Sequence, residues 1–174
     1  MKRLIFPLII TCIGLMACEE DGINVSFNVD YSTNYTLVKA AVVGTTIDAT
    51  SPEIETNTTD VFKNNSTNLD NISGATFNNL TISIVSPAGE NFSFVNEVKV
   101  YIKGNGMSEE LVASKSNIDQ AATSVDMDVE DVNLAEHVKS GAFTLRTSVI
   151  NDEALDNDLD LQADMQLKVT ARAL

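Results

Sequence analysis

Apolar and polar residues alternate along most of the chain after residue 23, and this period of two is typical of β-strands with one buried face. The clearest run extends from Asp158 to Arg172, where every odd position is apolar and every even position is polar. A one-residue shift in register would move every apolar side chain of this run into water, so we expect one fixed register. At ~3.4 Å per residue the strand would extend ~50 Å, and we expect a bend or a β-bulge within it.

Shorter segments with apolar or alternating patterns predict further strands. They are Val25–Tyr31, Tyr35–Val43, Leu80–Ile84, Val98–Ile102, Leu111–Ser116, Val125–Val129 and Phe143–Val149. Tyr35–Val43 is apolar throughout much of its length and is interpreted as a buried strand, although a short helix would give the same pattern. The set of strands predicts an all-β fold, an antiparallel β-sandwich of immunoglobulin-like or jelly-roll-like type with one short helix.

The short helix is predicted from Leu134 to Ser140. Asn133 is expected to cap its first turn, Glu136 to complete a capping box, and Gly141 to end it.

The stretch from residue 45 to residue 79 is rich in Asn, Thr and Ser and predicts a long loop. Within it, we expect a short edge strand at Pro52–Thr56, because proline is confined to edge strands, and a helical turn at Thr59–Asn65 around Phe62.

The first residues of the chain have the pattern of an export signal. Lys2 and Arg3 are followed by a thirteen-residue apolar run, Leu4–Met16. This run is too short to span ~30 Å of hydrocarbon, which needs ~20 helical residues, and it matches the apolar region of a signal peptide.

The end of the apolar run, Leu15-Met16-Ala17-Cys18, resembles the lipobox of bacterial lipoproteins. The resemblance implies cleavage between Ala17 and Cys18, diacylglycerol on the Cys18 sulfur and acylation of the new N-terminus. Two or more acyl chains give a stable membrane anchor, whereas one does not. The alternatives are an ordinary signal peptide that ends near a cysteine, or an uncleaved N-terminal helix.

Glu19, Glu20 and Asp21 follow the cysteine and resemble the surface-export signal of Bacteroidota-type lipoproteins. The resemblance implies an outer-membrane protein that faces the cell exterior; a solvated tether on the periplasmic face is the alternative. The predicted organisation is a signal peptide at residues 1–17, an acidic tether at residues 18–22 and a single β-sandwich domain at residues 23–174.

Composition narrows the classes of function. The 174-residue chain has 11 basic and 25 acidic residues, a formal charge of −14, and removal of Lys2 and Arg3 with the leader leaves 9 against 25, hence −16. This charge excludes a basic nucleic-acid binder. Cys12 lies in the leader and Cys18 would carry lipid, so the mature chain would have no disulfide and no thiolate nucleophile.

No catalytic residue is predicted. His137 is the only histidine, there is no Gly-x-Ser-x-Gly motif, and we expect His137 to be a packed or surface residue. Two groups of carboxylates occupy alternate positions: Asp126, Asp128 and Glu130, and Asp158, Asp160 and Asp164. They are interpreted as solvated faces, with a glycosidase pair as the alternative.

A glycan site would also need an exposed aromatic platform. The chain has no tryptophan, so the only tyrosines to examine are Tyr31, Tyr35 and Tyr101.

Calcium is the one metal that the sequence brings into question. Asp156-Asn157-Asp158-Leu159-Asp160 begins like an EF-hand loop, but positions six and twelve, which require Gly and Glu, are Leu161 and Leu167. An EF-hand is therefore excluded. A different calcium site made by Asp152, Glu153 and Asp156 stays a candidate, and no other cofactor is predicted.

The order of segments resembles a group of small β-sandwich lipoproteins of Bacteroidota. The resemblance is carried by Pro52–Asn57, Leu80–Pro87, Phe92–Val95 before Val98–Ile102, and Phe143–Arg146. It implies the fold and brings no particular activity with it. The expected function is that of a non-enzymatic structural, adhesive or accessory binding module with an unknown protein or glycan partner.

Two alternatives to that function remain. One is a carbohydrate-handling or hydrolytic accessory protein that uses paired carboxylates. The other is an assembly partner or chaperone-like protein that uses an exposed strand edge.

Replacement of Cys18 by Ser should abolish incorporation of a radiolabelled fatty acid, because the thiol is the predicted acceptor of the lipid. Cells that express the wild-type or the Cys18→Ser chain are labelled, and the protein is recovered by immunoprecipitation. Cys12→Ser is the matched control and should label normally, and equal labelling of all three chains would contradict the anchor.

Overall fold

Two antiparallel β-sheets, packed face to face, make up most of the computed structural model, which describes residues 23–56 and 59–174. The described strands are β1 (Asn24–Leu37), β2 (Thr46–Thr50), β3 (Ile54–Glu55), β4 (Ile72–Ser86), β5 (Val95–Gly104), β6 (Glu110–Ser116), β7 (Ser124–Asp126), β8 (Asp128–Val129), β9 (Ala142–Asn151) and β10 (Leu159–Arg172). Two short helices, α1 (Thr59–Asn64) and α2 (Ala135–Lys139), and two 3-10 turns, Leu69–Asn71 and Phe92–Phe94, complete the described elements.

The first sheet has the strand order β1-β10-β4-β7, and the second sheet has the order β2-β9-β5-β6-β8, with β3 also paired to β9. The main strands pair from the two ends of the sequence inward: β1 with β10, β2 with β9, β4 with β7, and β5 with β6. Successive pairs alternate between the sheets. This winding is the jelly-roll arrangement, so the predicted β-sandwich is confirmed and its jelly-roll form is the one present.

β10 is the strand around which the first sheet is built. It pairs with β1 along its whole length on one side and with β4 on the other. Its inward side chains are all at most 2% exposed, from Leu159 to Ala171 at every second residue. The predicted register is confirmed, and the expected irregularity appears as three register shifts against β4.

The prediction of a separate buried strand at Tyr35–Val43 is wrong. β1 continues without interruption to Leu37, and Val38, Val42 and Val43 are more than half exposed. The loop after β1 is held by polar contacts instead: the Gly44 N–H donates to the Asn151 carbonyl at 2.8 Å, and the Asn151 side-chain amide donates to the Val42 carbonyl at 3.1 Å. Hydropathy alone did not distinguish this exposed loop from a buried strand.

Residues 45–79 are not one long loop. They contain β2 and the first half of β4. The Thr, Asn and Asp residues of these two strands lie on the outer face, while Ile47, Ala49 and Phe77 face the core. The two smaller elements predicted in this stretch are confirmed. β3 pairs with β9 at the sheet edge, and α1 forms around the buried Phe62.

The predicted strand Val125–Val129 divides at Met127. β7 belongs to the first sheet, whereas β8 pairs with β6 in the second sheet. Met127 is buried at the crossing, and its N–H donates to the Leu80 carbonyl at 2.9 Å. The alternating segment Val125–Val129 therefore contributes one strand to each sheet.

The predicted short helix is present as α2, and it is shorter than expected. The N-cap residue of α2 is Leu134 and not the expected Asn133, which lies one residue earlier. The Asn133 side-chain oxygen accepts hydrogen bonds from the N–H groups of Ala135 at 3.0 Å and of Ala75 at 3.1 Å, so it joins the start of the helix to β4. Glu136 does not form a capping box, because its carboxylate pairs with Lys139 at 2.9 Å. Gly141, with φ of +88°, ends the helix as predicted.

No helix among the described residues is long and apolar enough to cross a membrane.

Replacement of Leu167 by Asp should lower the free energy of unfolding by on the order of 3 kcal/mol, because the carboxylate would be buried without a partner. Leu167 is fully buried on β10. The matched control is Lys168→Asp on the exposed face of the same strand, which should change stability little. Urea unfolding measures both, and equal effects would contradict the register of β10.

Candidate functional site

The residues predicted to carry lipid and to direct export lie outside the described part of the chain. They are Ala17, Cys18, Glu19, Glu20 and Asp21, and their roles stay predictions. The described chain begins at Ile23, directly before β1. The candidate sites within the described residues lie on the two outer faces of the sandwich, on α2 and in the loop between β9 and β10.

A groove of about 680 Å³ crosses the outer face of the first sheet and includes residues from β1, β10, β4 and β7. Its polar lining residues are Asp30, Ser32, Asn78, Asn79, Thr81, Asp126, Asp164 and Gln166. The described lining contains three carboxylates and no Lys, Arg or His. The groove therefore favours cations and hydrogen-bonding groups over anions.

One side of this groove is organised by a β-bulge. The register between β10 and β4 shifts where Leu167 pairs with Phe77 and Gln166 with Asn79, so Asn78 is an extra residue. The Asn78 amide donates to the Gln166 side-chain oxygen at 3.1 Å, and the Gln166 amide donates to Asp30 at 2.8 Å. A chain of side-chain hydrogen bonds thus connects β4, β10 and β1.

The other side of the groove holds the remaining two carboxylates. Asp164 of β10 pairs in register with Thr81 of β4, which pairs with Asp126 of β7, so the Asp164 and Asp126 Cα atoms lie two strands, about 10 Å, apart. The Thr81 hydroxyl donates to Asp126 at 2.8 Å. Sequence reasoning noticed these two aspartates separately, and only the sheet pairing brings them to one groove.

The predicted carboxylate groups are otherwise dispersed. Asp126 and Asp128 do not share a strand face, because Asp128 lies in the second sheet and pairs with Lys115 at 2.8 Å. Asp158 precedes β10 and accepts a hydrogen bond from the Lys39 N–H at 2.8 Å. The grouping of Asp126 with Asp128 was wrong because the chain passes from the first sheet to the second at Met127.

The tyrosines do not provide an aromatic platform in the groove. Tyr35 is buried with its hydroxyl 2.6 Å from that of Thr147, and burial raises the pKa of Tyr35 to about 12. Tyr31 is a lining residue, but its ring packs edge-to-face on the buried Phe143 with centroids 5.8 Å apart. Tyr101 belongs to the other sheet.

The outer face of the second sheet carries an ion-pair network centred on Arg146. The Arg146 guanidinium lies 2.7 Å from Asp48 and 2.8 Å from Glu109, and it stacks over the Tyr101 ring at 4.3 Å from the centroid. Its hydrogen bonds lower the pKa of Glu109. Both carboxylates are paired with the guanidinium, which also covers a face of the Tyr101 ring, so this cluster joins β2, β9 and β5 and offers no open ligand position.

His137 is a buried residue of α2, 3% exposed. Neither ring nitrogen has a hydrogen-bond partner in the described part of the chain. Burial lowers the pKa of His137, and the charge of Glu110 opposes that shift. Its backbone lies close to β5, since a Cβ on Gly104 would be 3.4 Å from the His137 Cα atom. The expectation that His137 is a packed residue is confirmed.

The calcium candidates lie in the loop between β9 and β10. The described residues contain no group of three or more His, Cys, Asp or Glu side chains that could hold a metal ion. Asp152 accepts a hydrogen bond from the Asn96 amide instead. Calcium binding by Asp152, Glu153 and Asp156 stays a prediction without such a cluster to support it.

Comparisons with known proteins add little to this geometry. No protein-family model matches the chain, and no curated protein matches it either. Among solved structures, the chain is similar to one of Desmodium yellow mottle tymovirus, with 12% identity, 99% of this chain and 97% of that chain covered, and a TM-score of 0.27. A likeness this weak supports no statement about fold or function.

Acidification should destabilise the fold through His137. The unfolded chain takes up a proton near the ordinary pKa of ~6.5, whereas the folded chain takes it up only at lower pH. The free energy of unfolding should therefore fall as the pH drops below ~6.5, by at most about 1.4 kcal/mol per pH unit for one proton. Urea unfolding at pH 7.5 and 5.5 measures the effect.

The control for this prediction is His137→Leu, which keeps a side chain of similar size without a titrating group. Its stability should change less than that of wild type between the two pH values. An identical pH dependence in both chains would show that other groups cause it.

Proposed function

We propose that the protein is a lipid-anchored, non-enzymatic β-sandwich module of the outer membrane that faces the cell exterior and acts as a structural, adhesive or accessory binding module. The anchor is Cys18, and Glu19, Glu20 and Asp21 direct export. The observation that supports this proposal most directly is the placement of the chain start and of the exposed apolar loop residues at opposite ends of the sandwich.

The described chain enters the sandwich at Asn24, and β1 then extends ~45 Å to Leu37. Leu37 pairs with Leu159, Ser86 pairs with Asp160, and the Ile84 N–H donates to the Thr123 carbonyl at 2.8 Å. These contacts bring together the loops that follow β1, β4, β6 and β9. An anchor attached before β1 would therefore hold these loops away from the membrane.

The loop end exposes aliphatic side chains that the core does not use. Val38, Val42 and Val43 after β1 and Ile150 near the end of β9 are each more than half exposed. Apolar side chains that form a contiguous exposed patch are typical of interaction surfaces. A membrane-anchored module with such a tip is suited to contact a partner outside the cell.

A second candidate function is carbohydrate handling or hydrolysis by paired carboxylates. One observation favours it, namely that Asp164 and Asp126 border the same groove with Thr81 between them. The described lining presents no outward aromatic ring, which a sugar-binding cleft usually has. The two functions differ measurably, because a hydrolytic protein would consume a glycan and a binding module would leave it intact.

Protease added to intact cells should digest the wild-type protein. The triple variant Glu19→Ala, Glu20→Ala, Asp21→Ala should resist, because loss of the acidic signal would retain the anchored protein on the inner face. Immunoblotting of the remaining full-length protein measures the difference.

The matched control replaces three exposed acids elsewhere, Glu53, Asp70 and Asp131, by alanine. It changes the net charge equally and should leave the protein accessible. Resistance of the wild-type protein would contradict the surface location, and equal digestion of the triple variant would contradict the export role.

A further inference from the structure

β1 differs from every other edge strand of the described sheets in its length. It has 14 residues, whereas β7 has three and β8 has two. The remaining edge is divided into β2 with five residues and β3 with two, and Pro52 lies between them. Natural sheets commonly protect their edges by making them short or by interrupting them, and β1 is the exception here.

β1 also lacks the other common protections of an edge strand. Residues 24–37 contain no Pro, Lys or Arg, and Asp30 is their only charged residue. The register with β10 is continuous from Asn24 to Leu37, so no bulge turns the strand away.

Apart from Tyr31, the residues of β1 form no backbone hydrogen bond on the side away from β10 within the described part of the chain. Between described residues, no backbone hydrogen bond joins residues 24–30 or 32–37 to anything outside β10. Alternate residues of an antiparallel strand direct their N–H and C=O groups to one side, so half of those on β1 face away from β10. By contrast, β4 on the other side of the sheet receives loop contacts, such as the Leu134 N–H to the Ala75 carbonyl at 2.6 Å.

We propose that this edge binds an extended segment of another protein as an added strand beside β1. The segment has apolar side chains at the positions that face the core and Lys or Arg at the positions that face outward. This mode is β-augmentation, in which backbone hydrogen bonds provide affinity and alternate side chains provide specificity.

The inner face of β1 accounts for the apolar half of this pattern. Val25 and Phe27 face the core but stay partly exposed, whereas the inward side chains of the neighbouring β10 are fully covered. Phe27 packs edge-to-face on Phe62 with centroids 5.4 Å apart, and its side chain is only partly buried. An added strand with aliphatic inner side chains would remove this surface from water.

The outer face accounts for the cationic half. Asp30 and Ser32 of β1 form the edge end of the polar groove, which continues to Asp164 and Asp126 and contains no basic lining residue. Adjacent strands lie ~4.8 Å apart, so a Lys or Arg of the added strand can reach Asp30 directly.

A second copy of this chain is a poor occupant of the same edge. Its β1 would bring another Asp30 and no cation, and the whole chain carries a charge of −14. Like charges across paired strands are destabilising, so charge complementarity favours a basic partner.

The inference deepens the proposed binding function and rests on it, but it does not depend on the lipid anchor. Failure of strand binding would leave fatty-acid labelling and surface accessibility unaffected. Loss of those two properties would leave the chemistry of the β1 edge unaffected. The experiments therefore separate the two proposals.

The test uses the full-length protein in detergent and a fluorescent decapeptide of alternating Val and Lys with blocked ends. Two control peptides contain the same residues in blocks of two, or Glu in place of Lys. Fluorescence anisotropy measures affinity, and hydrogen exchange measures backbone protection. We expect the Val-Lys peptide to bind at least tenfold more tightly than either control and to slow amide exchange in β1 but not in β7 or β8.

The matched protein variants are Asp30→Lys and Asp131→Lys, which make the same charge change at the β1 edge and at an exposed site beyond β8. Asp30→Lys should weaken Val-Lys binding about tenfold, and Asp131→Lys should leave it nearly unchanged. Thermal melting shows whether Asp30→Lys impairs folding. If it does, Asp30→Asn replaces it, and this variant should weaken Val-Lys binding by a smaller factor.

Several results would overturn the proposal. They are equal binding of the block peptide, equal binding of the Val-Glu peptide, protection outside β1, or no protection at saturating peptide. Protection of β1 without any peptide would show that the edge is already occupied. A concentration-dependent dimer would then assign the edge to a second copy, and a monomer would assign it to residues 1–22.

Discussion

The structure depends on the burial of one complete face of β10. This strand lies between β1 and β4, and each of its inward side chains from Leu159 to Ala171 is essentially removed from water. A shift of one residue would turn the apolar face of β10 away from the core, so strict alternation excludes such shifts against both neighbours. β4 contains three residues more than its pairing with β10 uses, and the bulge opposite Gln166 accommodates one of them.

The same alternation that builds the core places the acidic residues on the surface. Asp164 faces outward because Met165 faces inward, and Asp30 and Asp126 are placed likewise by their own strands. The two outer faces nevertheless differ. On the second sheet Arg146 pairs with Asp48 and Glu109, whereas the described groove of the first sheet contains no basic side chain. The carboxylates of this groove therefore have no basic side chain in the described lining that would compete with a cationic partner.

The edge strands of this jelly roll differ in length, and the order in which the strands pair explains the difference. The outermost strand pair is also the longest, so β1 stays at the edge with its full length while inner pairs end in strands of two to five residues. Loop contacts cover the β4 side of the sheet. The acidic groove begins at β1, the long edge strand. The backbone groups of this edge and the carboxylates of the groove therefore lie next to each other.

The sequence alone determined the all-β class, the register of β10, the turn of α1 around Phe62 and the end of the second helix at Gly141, because each depends on local periodicity or backbone preference. Tertiary structure decided the rest. Hydropathy could not tell the exposed Val42 from a core valine, and an Asn-rich composition concealed the buried face of β4. The groove and the open edge arise from residues far apart in sequence, so only strand pairing brings Asp30, Asp126 and Asp164 together.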